Sequence, residues 1–116
     1  MVTNLAEASV RHQNGVAVID LRGDINRSAE EILNRAYDEA TGDGSERIVL
    51  NFENVEYINS TGIALIVGVL ARARKEHHTV TACGLTQHYQ EIFQITRLAD
   101  FMPIFTDESA AVETSI

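Results

Sequence analysis

Apolar residues along the chain fall into short strand-like runs separated by stretches with helical spacing. Asn14-Gly15 stands between Ser9–Gln13 and Val16–Leu21. That dipeptide suits a type I′ turn, which needs two positive φ angles, so an antiparallel hairpin is predicted here. After Gly23, Ser28-Ala29-Glu30-Glu31 reads as a capping box, and Ala29, Ile32, Leu33, Ala36, Tyr37 and Ala40 follow on one helical face. Gly42-Asp43-Gly44-Ser45 ends that helix.

Ile48–Phe52 is nearly continuous in apolar residues, the pattern of an interior strand covered on both faces. It leads through Tyr57-Ile58-Asn59 into Ser60-Thr61-Gly62 and an apolar segment, Ile63–Ala71, that reads as a buried core helix closed by Arg72, Arg74 and Lys75. Val80–Cys83 predicts another strand. Thr86 then looks like the N-cap of a helix carrying Ile92, Phe93, Ile95 and Leu98, stopped by Pro103. Ile104–Thr106 is short enough for a last strand, and Asp107 is placed to cap a final helix through Val112. The order β-β-α-β-α-β-α-β-α predicts one α/β domain with a mixed, partly parallel sheet, an N-terminal hairpin and about four helices.

The length of 116 residues fits a single domain, 1–116 with a core of about 8–113, and excludes a multidomain enzyme. The net charge of −8, from 9 basic and 17 acidic residues, argues against nucleic acid and against an anionic membrane surface, since a polyanion is repelled before contact. The apolar run at 63–71 is far shorter than the ~20 residues of a membrane span, so no membrane insertion is expected. One cysteine, Cys83, allows no internal disulfide, and the N-terminus lacks a basic patch followed by an apolar run. A cytoplasmic location is the expectation.

Open α/β sheets place functional groups at the C-terminal ends of their strands, and Asn59-Ser60-Thr61-Gly62 occupies that position before a helix. Ser60 or Thr61 can cap that helix, and Gly62 permits close approach of another backbone. Between Tyr57 and Ala71 there is no Asp, Glu, Lys or Arg. A phosphoryl group on Ser60 would bring about −1.5 to −2 charges into a blank surface, at a helix start whose dipole and open amides favour an anion.

The segment from Asn51 to Leu65, with Tyr57-Ile58-Asn59-Ser60-Thr61-Gly62 at its centre, resembles the signature of the STAS domain, in particular the bacterial anti-sigma factor antagonists. That pattern is a strand ending in Asp, a variable turn, then hydrophobic-Asp-Ser-Ser/Thr-Gly and a hydrophobic helix. Leu21–Asn26 and Ile95–Phe101 are similar to two further stretches of the family. The resemblance implies a non-enzymatic switch without cofactor, phosphorylated at Ser60, with Thr61 as second choice. It implies a partner surface of Asp24, Asn26, Asn59, Ser60, Thr61, Gly62 and Ile63. The implied partners are an anti-sigma factor that is also a GHKL-type serine kinase and a PP2C-type phosphatase. Asn26 and Asn59 stand where phosphorylatable members usually carry Asp, and each removes a negative charge near the switch.

That departure motivates a second reading, a STAS adaptor that is not phosphorylated and serves a stress-signalling assembly or a lipid-transport ATPase. A third, a hydrolase with Ser60 as nucleophile, lacks a base: His77 lies about 25 Å further along the helix by rise alone. Adjacent His77 and His78 diverge by about 100° on a helix and cannot chelate one ion. With His12 and His88 they are expected as exposed polar residues, and no metal is expected. Cys83 is expected as a buried, inert thiol.

Overall fold

The computed structural model describes residues 5–42 and 44–113. The chain opens with strands β1 (Glu7–Gln13) and β2 (Val16–Ile25), paired antiparallel from Gln13↔Val16 to Glu7↔Arg22. Asn14 and Gly15 between them have φ of 54° and 78°, the two positive angles that the Asn-Gly pattern requires. A 3-10 turn, Arg27–Ala29, leads into α1 (Glu30–Thr41); then come β3 (Arg47–Ile58), α2 (Ser60–Lys75), β4 (Thr79–Cys83) and α3 (Gln87–Ile95). A second 3-10 turn, Leu98–Asp100, precedes β5 (Ile104–Phe105) and α4 (Glu108–Glu113).

The five strands lie in the order β1-β2-β3-β4-β5, with every pair after the hairpin parallel. Because each crossover steps one strand in the same direction and such crossovers are right-handed, all three connecting helices must land on one face. They do: Ala17, Ile19, Leu21, Ile48 and Leu50 face Leu33 and Tyr37 of α1, Ile66 and Leu70 of α2, and Phe93 of α3 in one core. The opposite face is covered where α4 sets Ala111 and Val112 over Val16, Val18, Val49 and Cys83. Each large aliphatic side chain so buried contributes roughly 1.5–3 kcal/mol.

Four expectations change. The third strand runs on to Ile58, twelve residues in all, because its second half pairs with β2 beyond the reach of β4, with register shifts on either side of Arg22 and Gly23. The Ser28 capping box is not formed. Asn26 caps the turn instead, its Oδ1 accepting from the Ser28 amide at 3.0 Å and the Ser28 hydroxyl at 2.6 Å. α3 ends at Ile95, before Pro103, where Arg97 takes a left-handed φ of 66°. α2 is not wholly buried: Ile66, Val69, Leu70 and Ala73 enter the core, whereas Ala64, Val67, Gly68 and Ala71 face outward and are exposed.

Candidate functional site

The parallel pairing of β2 with β3 ends at Asp24↔Tyr57 and Ile25↔Ile58, so Asp24, Asn26 and the Asn59–Ile63 segment meet at one edge of the sheet. Three contacts fix where β3 stops and α2 begins. The Ile58 amide donates to the hydroxyl of Tyr89 on α3 at 2.9 Å, and the Asn59 amide donates to the Ile25 carbonyl at 3.3 Å. Gly62 then packs directly on β2, where a Cβ would lie 1.9 Å from the Ile25 oxygen. The close approach expected of Gly62 is thus to its own chain, and only glycine fits.

The cap of α2 is Asn59 rather than Ser60 or Thr61. Asn59 has extended backbone angles, as an N-cap must, and its Oδ1 accepts from the Gly62 amide at 2.8 Å. Once the strand ends at Ile58, the first residue free to leave the sheet is Asn59, and its short amide side chain reaches the third amide of the helix. Ser60 and Thr61 become the first helical residues, both exposed. Among the described residues neither hydroxyl has a hydrogen-bond partner. A serine that capped the helix would have its oxygen committed to the backbone; here the oxygen points free at a helix start.

The helix face on which it stands is uncharged, while Asp24 lies on the neighbouring strand end. Ser60, Thr61, Ala64, Val67, Gly68 and Ala71 form the outward side of α2, and the first turn holds no acid. Asp24, Asn26, Asn59 and Ile63 are half-buried, and Gly62 is buried. Tyr57, beside Asp24 in register, is 54% exposed and adds an aromatic rim. Tyr89 gives no sign of a positioning role in the sequence, where it is one aromatic on an amphipathic helix, because its hydroxyl partner is a backbone amide 31 residues away.

At its other end α2 is crowded with charge. Arg72 pairs with Asp38 of α1 and with Glu76 (3.2 Å), and its guanidinium lies 4.3 Å from the centre of the Tyr37 ring. The Tyr37 hydroxyl is hydrogen-bonded to Glu76 Oε1 and His78 Nδ1, both at 2.8 Å. Burial, then the Glu76 carboxylate, pushes the phenol well above its ordinary range, while the Tyr37 bond and then Arg72 hold the Glu76 carboxyl below its own. His78 is therefore a half-buried structural partner, not the exposed residue expected. Cys83 is buried under α4, and burial first, then Glu108, pushes its thiol up to about 12, which keeps it protonated and unreactive at neutral pH. Among the described residues no cluster of His, Cys, Asp or Glu could hold a metal ion, and no helix is long and apolar enough to cross a membrane.

The family model described as "Mlab, STAS domain" matches residues 8–105. The putative anti-sigma factor antagonist BtrV of Bordetella bronchiseptica is 26% identical over 98 residues, 84% of each chain. Among solved structures, an anti-sigma factor antagonist from Mycobacterium paratuberculosis superposes with a TM-score of 0.78 at 19% identity, covering 92% of this chain and 91% of that one. The Bacillus cell fate determinant SpoIIAA in its phosphorylated form gives 0.66 at 22% identity, covering 89% and 95%. With five strands and four helices among the described residues and a family match across most of its length, the chain belongs to the STAS domain family.

Proposed function

We propose that the protein is a non-catalytic anti-sigma factor antagonist, switched at Ser60. The single observation that carries this reading is a free, exposed Ser60 hydroxyl at the start of α2, at the head of an uncharged helix face. Unmodified, that face docks on an anti-sigma factor that is also a GHKL-type serine kinase and so releases a sigma factor. Asn59, Ser60, Thr61 and Ile63 make the contact, flanked by Asp24 and Asn26 on the neighbouring strand end. The outward Gly68, around which an added Cβ meets nothing within 4 Å, keeps the face low enough for close approach.

Phosphorylation adds about −1.5 to −2 charges. On the free protein the helix dipole and open amides lower the cost of that dianion. Inside an interface the same dianion loses its water without a cation to replace it, which costs several kcal/mol, and the partner is released. A PP2C-type phosphatase resets the switch. Asn59 and Asn26 serve this scheme as neutral caps, sparing the phosphate the repulsion that carboxylates would exert.

Incubation with a GHKL-type kinase and ATP, followed by mass spectrometric mapping, should place one phosphate on Ser60, with Thr61 the second choice. Ser60→Asp should weaken binding at least tenfold. No phosphate on either residue, with Ser60→Asp binding unchanged, refutes the switch. Asn26 and Asn59, standing where the resemblance leads one to expect Asp, motivate one other reading, an adaptor that is not phosphorylated and serves a stress-signalling assembly or a lipid-transport ATPase. Recovery of such subunits in a pull-down, without an anti-sigma factor, would select it.

A further inference from the structure

From Val67 to Arg74, about 10 to 21 Å along α2 from Ser60 by the rise of the helix, the surface changes character. A groove of about 840 Å³ opens between α2, the start of β4 and the turn after α3. Leu70, Val80 and Leu98 are buried in its floor, while Val67 and Phe101 stand at its lips, 47% and 61% exposed. Paired apolar lips over an apolar floor are the signature of a surface that something else covers.

The charge in the groove is opposite to that of the molecule. In a chain of net charge −8, it contains Arg74 and Arg97 against one carboxylate, Asp100. Asp100 is taken by Arg97 at 2.9 Å. Arg74 has no carboxylate partner among the described residues, and its guanidinium lies 5.8 Å from the centre of the Phe101 ring. One unpaired planar fork beside an apolar floor, in a groove whose walls also carry His77, His78, Thr79 and Thr96, suits a carboxylate with a hydrocarbon body. With Arg97 occupied by Asp100, Arg74 alone supplies one positive charge, which matches a monoanion, and the volume lies within the ~300–1,000 Å³ of small-molecule sites.

We propose that this groove binds a small amphiphilic monocarboxylate, its alkyl chain between Val67 and Phe101 and its carboxylate on Arg74. The proposal does not rest on the reading of Ser60, although Val67 at the lip of the groove also belongs to the outward face of α2.

Titrating the full chain with decanoate below its micellar concentration, followed by amide NMR shifts, tests it. Saturable shifts centred on Val67, Arg74 and Phe101 are expected. Arg74→Glu and Phe101→Ala, both at exposed positions that leave the core intact, should each weaken binding about tenfold. Decyltrimethylammonium should bind the wild type about tenfold more weakly than decanoate does. Equal binding of the two amphiphiles, the absence of saturable shifts in the groove, or unchanged affinity in Arg74→Glu would overturn the proposal. So would a response only to anionic phospholipid vesicles or only to an acidic amphipathic peptide.

Discussion

At its N-terminal end α2 carries no charged side chain and is held by backbone: the Asn59 cap, the Ile25 carbonyl and the close packing of Gly62. At its C-terminal end the same helix is held by side-chain charge, with Arg72 set among Asp38, Glu76 and the Tyr37 ring. The difference has a functional consequence. Where charges already do the anchoring, a new dianion would break existing pairs. Where backbone does the anchoring, a dianion can be added and removed while the fold keeps every contact it had. The proposed switch uses the blank end.

The strongest way to break this contrast is Gly62→Ala. Its Cβ would meet the Ile25 carbonyl at 1.9 Å, backbone against backbone, so we expect a loss of about 3 kcal/mol or more in chemical denaturation. A loss below about 1 kcal/mol would mean that the helix start is not pinned on β2. At the charged end, Tyr37→Phe removes both hydroxyl bonds and should cost about 1–3 kcal/mol by the same measurement, with partner binding at Ser60 unchanged.

Smaller effects sharpen the comparison. Asn59→Ala should cost about 1 kcal/mol of stability, and Asn59→Asp should retain most of the cap. Acid titration should act on the charged regions alone. The Arg11 guanidinium, bonded to both carboxylate oxygens of Glu108, and the Asn51 amide hold the Glu108 carboxyl below its usual range. A depressed folded-state value stabilises the protein above the unfolded-state pKa, about 4.3 for Glu, and that stability is lost as pH falls through the lowered value. Unfolding midpoints measured from pH 6 to 3 should therefore fall less steeply in Arg11→Ala than in the wild type. Ser60→Ala should change stability by no more than about 0.5 kcal/mol at any of these pH values.

Much of this architecture is legible in the sequence because the local signals agree with one another. Asn14-Gly15 demands positive φ at two successive residues and obtains it. Thr86 and Asp107 cap α3 and the last helix as their positions suggest, accepting from the amides of Tyr89 and Ala110. The start of α2 was harder to place because Asn59, Ser60 and Thr61 are all competent caps. The choice between them depends on where β3 ends, and that is set by pairing with β2 and by the Tyr89 hydroxyl, contacts remote in sequence. Glu53, Asn54 and Glu56 hide the second half of β3, since their exposure there reads as a turn. The outward face of α2 is hidden for the converse reason: its alanines, valine and glycine look like core until the sheet shows which side they take.

The central claim is that the free hydroxyl at the head of α2 controls docking through charge alone, without refolding. The most direct measurement is calorimetric titration of a GHKL-type anti-sigma kinase with the protein unmodified and phosphorylated at Ser60, alongside amide spectra of both forms. A loss of affinity of at least tenfold is expected, with spectral changes confined to the Asn26 turn and the first turns of α2. Equal affinity in the two forms, or a spectrum altered throughout the sheet, would contradict it.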